Sequence, residues 1–89
     1  MPVVESPLDA EQRLIEAAKS NRTAFGALYD RHFQSVYGFA YRRLGDHTEA
    51  EDVTAQTFRL ALEHIDRFEY RGVPFSAWLY RIAHNAVAN

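Results

Sequence analysis

Along this chain the apolar positions recur at intervals of three and four, and no stretch of useful length alternates with period two. That spacing gathers side chains on one side of a 3.6-residue helix, so the pattern predicts helices and no sheet. The clearest run follows Thr23. There Phe25, Leu28, Tyr29, Phe33, Val36, Tyr37, Ala40, Tyr41 and Leu44 keep the rhythm for about six turns, and Gly45 supplies a left-handed stop. Upstream, Ser6-Pro7-Leu8-Asp9 fits a capping box with proline in the first turn. Leu8, Leu14, Ile15 and Ala18 then give a short, weakly amphipathic helix ending near Asn21. Thr48 and Glu51 offer a second capping box for a third helix. Ala50, Val53, Thr57, Phe58, Ala61, Ile65 and Phe68 mark one side of it, while Asp52, Gln56, Arg59 and Glu63 recur on another. A fourth helix begins at Pro74 or Phe75. It turns Phe75, Trp78, Leu79, Ile82, Ala83, Ala86 and Val87 inward and Tyr80, Arg81, His84, Asn85 and Ala88 outward. No internal repeat is visible, and the predicted fold is all-α, a compact bundle of about four helices.

Eighty-nine residues supply one core and no more, so residues 1–89 read as a single domain with a flexible start at 1–9. The start lacks the basic segment and apolar run of a signal peptide, and no window approaches the length of a membrane span. The expectation is a cytoplasmic protein with no membrane contact. Zero cysteines exclude disulfides, thiol catalysis and thiolate metal sites. The formal charge of -2 hides a segregation by segment. Residues 46–66 set Asp46, Glu49, Glu51, Asp52, Glu63 and Asp66 against Arg59 alone. Residues 21–45 set Arg22, Arg31, Arg42 and Arg43 against Asp30, and residues 67–89 set Arg67, Arg71 and Arg81 against Glu69. One acidic and two basic surfaces follow, enough for two partners, although a solvated face explains any single run.

Candidate chemistry is sparse. His32 lies on the apolar stripe of the second helix as a partly buried packer, His47 lies in a turn, His64 precedes Ile65, and His84 faces out. None is spaced i, i+4 from another, so no metal site is expected. Glu49 and Glu51 flank a helix start, where negative charge favours the macrodipole without any reaction. With no phosphate loop, nucleophile elbow or cofactor motif, the reading is a non-enzyme.

The segment from Phe68 to Trp78 is different: four aromatic rings and Arg71 surround a Gly72/Pro74 turn that opens into the fourth helix. Rings beside a guanidinium form a stacking platform for an unpaired base. The competing reading is a helix connection whose Phe68, Phe75 and Trp78 plug the core. On the adjoining helix Tyr80, Arg81, His84 and Asn85 offer a ring, a guanidinium, an imidazole and an amide, groups suited to phosphates and base edges.

Glu51-Asp52-Val53-Thr54-Ala55-Gln56-Thr57-Phe58, Ile65-Asp66-Arg67-Phe68, Arg71-Gly72 and Phe75-Ser76-Ala77-Trp78-Leu79-Tyr80-Arg81-Ile82-Ala83-His84-Asn85 resemble the second conserved domain of bacterial RNA polymerase sigma factors. Within the sigma-70 family the similarity is greatest to the extracytoplasmic-function group, and it covers roughly residues 10–89. The resemblance implies a transcription initiation factor domain that binds core polymerase at the clamp coiled coil of the largest subunit, through Asp52, Gln56, Arg59, Leu62 and Glu63. It implies capture of flipped bases from the single-stranded non-template -10 region of promoter DNA by Phe68, Tyr70, Arg71, Val73, Phe75 and Ser76. Tyr80, Arg81, His84 and Asn85 would meet the upstream edge of that element, with Trp78 supporting the pocket from the core side. The alternative is a protein-interaction module held by an anti-sigma partner through Leu60 and Leu62. Ala55-Gln56 departs from the Gln-Glu common in the family, which removes one charge from the docking face. The family also continues into a linker and a helix-turn-helix domain that reads the -35 element, which this chain lacks.

Overall fold

Three short polar side chains set where the first three helices begin. A computed structural model of the chain describes residues 6–88 as α1 (Pro7–Ala18), α2 (Arg22–Leu44), α3 (His47–His64) and α4 (Phe75–Ala88), with a 3-10 turn at Ile65–Arg67. Ser6 Oγ accepts from the Asp9 N–H at 3.1 Å, and Asn21 Oδ1 accepts from Thr23 and Ala24 at 2.8 and 3.4 Å. The Asp46 carboxylate accepts from Glu49 at 2.9 Å. Each supplies an acceptor to donors that the first turn leaves free.

Two expectations are corrected here. The Thr48–Glu51 box does not open α3, because Asp46 is the cap, its carboxylate accepting from the Glu49 N–H, and Thr48 lies inside the helix. Asn21 caps α2, and α1 ends at Ala18. Residues 1–5 of the expected flexible start and the Leu8 side chain lie outside the described residues, while Ser6–Asp9 form the cap and first turn of α1.

The central helix is α2, against which α1, α3 and α4 all pack; α4 also packs on α3. Gly45, at φ +68°, ends α2 and donates its N–H to the Tyr41 carbonyl at 2.8 Å. The core joins Ile15 and Ala18 of α1, Phe25, Leu28 and Val36 of α2, Phe58 and Ala61 of α3, and Phe75, Leu79 and Ala83 of α4, closed by Ile65 and Phe68.

Only part of the apolar stripe of α2 is interior. Tyr29, Phe33, Tyr37 and Tyr41 form a ladder with successive ring centroids 5.4, 6.0 and 6.2 Å apart, and Tyr29 and Tyr41 are exposed. Rings with hydroxyls go to the rim, where Tyr37 hydrogen-bonds His47 Nδ1. On α3 the buried set is Ala50, Thr54, Thr57, Phe58 and Ala61; Val53, expected inside, is half-buried. Thr54 escapes a hydrophobicity pattern because its hydroxyl is polar. Here it donates to the Ala50 carbonyl at 2.7 Å, as Thr57 does to Val53, so neither hydroxyl is left unpaired.

Candidate nucleic-acid interface

Leaving α3, the chain tightens through Ile65–Arg67, extends at Phe68 and turns at Gly72, whose φ of +80° glycine adopts without steric cost. Pro74 then precedes the first residue of α4, and its carbonyl accepts from Ala77 at 3.0 Å. The result is an open groove of about 410 Å³ between loop and helix, lined by Arg67, Phe68, Glu69, Arg71, Val73, Trp78 and Arg81.

Three interlocking rings form the groove's base. Phe68 meets Phe75 edge-on at 5.3 Å and 88°, and Trp78 lies 5.0 Å from Phe68 and 5.4 Å from Phe75. Phe75 is 1% exposed and Phe68 7%. In this conformation neither presents a free ring face, so the expectation that Phe75 is a base contact is corrected: it is interior scaffold. Its inner side meets His32, whose Nε2 lies 2.5 Å from Glu11 Oε1, so the groove base is tied through α2 to α1. Trp78 is half-buried and reaches the groove wall. Packing divides the segment among its residues: Phe68 and Phe75 plug the core, while Tyr70 and Val73 stand exposed on the loop.

The groove's charge is cationic with one carboxylate. Arg71 donates to Glu69 Oε2 from Nε at 3.0 Å and from Nη2 at 2.5 Å. That hydrogen bond, and then the charge of Arg71, holds the Glu69 carboxyl below its ordinary value of 4.5. Arg67 and Arg81 face the same groove without a carboxylate partner among the described residues. Guanidiniums beside a half-exposed indole can hold a phosphate and stack a base.

Of the expected nucleic-acid residues, Phe68, Arg71, Val73 and Arg81 line the groove. Tyr70 is exposed on its loop. Ser76 is half-buried, and Tyr80 packs its ring 5.5 Å from Phe39 of α2. His84 and Asn85 are exposed farther along α4. Arg67, Glu69 and Trp78 also line the groove but were outside the predicted base-contact set. Arg67 had a readable signal, one residue before the ring that turns the chain.

The second expected surface is present as a stripe on α3. Asp52, Gln56, Arg59 and Glu63 are all exposed, and their spacing keeps them within one narrow sector of the helix. Leu62 does not belong to it. One residue from Glu63, it is turned about 100° away and packs half-buried against the core. Leu60, expected to be exposed, is also half-buried.

The described residues contain no group of three or more His, Asp or Glu side chains placed to hold a metal, and no helix long and apolar enough to cross a membrane. The family described as Sigma-70 region 2 matches residues 28–89. The chain is 42% identical to the ECF RNA polymerase sigma factor BldN of Streptomyces coelicolor, over 99% of this chain and 34% of that protein. It is 37% identical to the ECF RNA polymerase sigma factor SigW of Bacillus subtilis, over 84% of this chain and 40% of that protein. A solved RsbN–BldN complex superposes with a TM-score of 0.77 at 43% identity, covering 84% of this chain and 54% of the solved one. The chain spans about a third to two fifths of the length of these curated relatives. The four-helix bundle, the matched region and these similarities together show that this chain belongs to the sigma-70 family of RNA polymerase sigma factors, as a region 2 domain of the extracytoplasmic-function group.

Proposed function

We propose that this domain binds core RNA polymerase through the exposed Asp52, Gln56, Arg59 and Glu63 stripe and holds unpaired non-template bases of the promoter -10 element in the groove between loop and α4. The observation that carries the reading is the groove itself, with an aromatic base, a half-buried indole and three guanidiniums, beside which Tyr70 is exposed on the adjoining loop. Extruding a base costs roughly a few kcal/mol. Stacking returns about 1 to 3 kcal/mol per base, so one ring offsets part of that cost and charge-assisted phosphate contacts add to it.

Trp78 is the chain's one tryptophan, so quenching of its fluorescence reports occupancy of the groove. A labelled -10-like single strand should quench it and bind more tightly than a scrambled strand. Tyr70→Ala should weaken binding by about 1 to 3 kcal/mol, with the larger loss on the -10-like strand. Equal loss on both strands in a folded variant removes base reading from the loop.

The solved RsbN–BldN complex supports a second reading, in which a protein partner occupies this domain. A partner that competes with polymerase for the α3 stripe, and not with DNA for the groove, is the outcome that favours it.

A further inference from the structure

Glu11 and His32 are polar residues on the inner faces of their helices. Glu11 shares the side of α1 that carries Ile15 and Ala18, and His32 shares the side of α2 that carries Phe25, Leu28 and Val36, all five of them buried. The two polar groups meet there. His32 Nε2 lies 2.5 Å from Glu11 Oε1, with the side chains only 11% and 13% exposed. A carboxylate only accepts, so the ring nitrogen is the donor and the edge of the imidazole is held in place. The exposed Arg31 guanidinium stands 3.6 Å from the same oxygen, which gives the carboxylate a cation beside it.

Stability alone does not call for this pair. Apolar side chains of similar volume in its place would hold the helices together as well or better, because lost hydration offsets the attraction between two shielded polar groups. What the hydrogen bond adds is direction. It fixes the edge of the His32 ring, and that ring packs against Phe75 with centroids 5.5 Å apart and planes inclined at 56°. Phe75 in turn meets Phe68 at 5.3 Å and Trp78 at 5.4 Å, and these three rings are the base of the groove. No residue of α1 lines the groove, so this series of contacts is a route by which α1 reaches it.

Building on the groove reading, we propose that Glu11 and His32 are positioning residues for base capture: Glu11 of α1 holds the His32 ring in one orientation, and that ring holds Phe75, with Phe68 and Trp78, in the arrangement that receives a base. Without the hydrogen bond the imidazole turns about its side-chain bonds, Phe75 loses a fixed wall, and the base of the groove samples other packings. A site that is competent for only a fraction of the time binds more weakly by that fraction.

The test uses the intact 89-residue chain, a -10-like single strand and its scrambled control, and acrylamide quenching of Trp78 in the free protein. Glu11→Leu leaves the His32 N–H without its acceptor. It should weaken single-strand binding by about three- to tenfold, as for a groove competent about a third to a tenth of the time, and make Trp78 more accessible to acrylamide. Glu11→Gln keeps an oxygen acceptor in the same place and should bind within about twofold of the wild type. Glu11→Leu/His32→Phe restores apolar packing, so it should melt at or above the wild-type temperature and still show the weaker binding and the more accessible indole. Wild-type affinity in that folded double variant overturns the proposal, because the pair then only fills space. A Glu11→Gln protein as weak as Glu11→Leu overturns it too. If the double variant does not fold, the comparison of Gln with Leu, each corrected for its folded fraction, decides alone. A wild type without preference for the -10-like strand, in which Glu11→Leu still opens Trp78 to acrylamide, removes the groove reading and leaves the positioning role. A wild type with that preference, whose affinity and quenching are unchanged by Glu11→Leu, removes the positioning role alone.

Discussion

Removing the Phe75 ring separates the two roles the chain offers for it. Phe75 is 1% exposed and lies within 5.5 Å, ring to ring, of Phe68, Trp78 and His32. Phe75→Ala should therefore destabilise the fold by about 3 to 5 kcal/mol, from lost burial and from the cavity left among three rings that cannot all move in. A domain of this size has about 4 to 13 kcal/mol in total at typical values per residue, so the variant loses a large share of it. At roughly 4 to 8 °C per kcal/mol, the melting temperature should fall by at least about 12 °C. Phe75→Leu keeps most of the volume and should cost less than about 1.5 kcal/mol. The assay is urea unfolding followed by far-UV circular dichroism and by Trp78 fluorescence, with DNA affinity measured where each variant is folded. Phe75→Leu should retain most DNA affinity, because its side chain supports the groove from beneath. A Phe75→Ala protein that melts within a few degrees of wild type yet loses DNA binding would refute the reasoning, since it requires an exposed ring.

The remaining predictions concern charge and caps. Arg59→Glu should abolish polymerase capture in a pull-down while shifting stability by less than about 0.5 kcal/mol, because the side chain is exposed; retained capture removes the α3 stripe from the interface. Asp46→Ala should lower stability by about 1 kcal/mol in thermal melts, and Thr48→Ala by clearly less; the reverse order restores Thr48 as the cap. Because the Glu69 carboxyl is held low, its pairing with Arg71 is present above the ordinary value of 4.5 and is lost as pH falls through the lowered one, which carboxyl NMR titration reads directly. Glu69→Gln frees Arg71 at neutral pH and should steepen the salt dependence of single-strand binding by about 0.7 in slope; an unchanged slope means Arg71 meets no phosphate.

The helical class, the four segments and the positions of Gly45 and Gly72 were legible in the sequence because they rest on local causes: period, turn chemistry and backbone freedom. The polar stripe on α3 was legible for the same reason, since residues at i, i+4, i+7 and i+11 share a side of any helix. Which side is buried was not local. Tyr29 and Tyr41 fit the apolar period of α2 as well as Leu28 and Val36 do, and only the placement of α3 and α4 puts the leucine and valine inside and leaves the tyrosines at the rim. Thr54 was missed although Thr57 was placed on the inner side, and both are buried because each hydroxyl donates to a carbonyl of its own helix. Phe75 and Tyr70 share one loop segment and similar chemistry, so the sequence could not divide scaffold from presented ring. Tertiary packing divides them: Phe75 is enclosed with His32 of α2 and Leu79 of α4 and is 1% exposed, while Tyr70 is 37% exposed on its loop. The contact of Phe39 with Tyr80 likewise joins residues about forty positions apart and exists only because two helices run side by side.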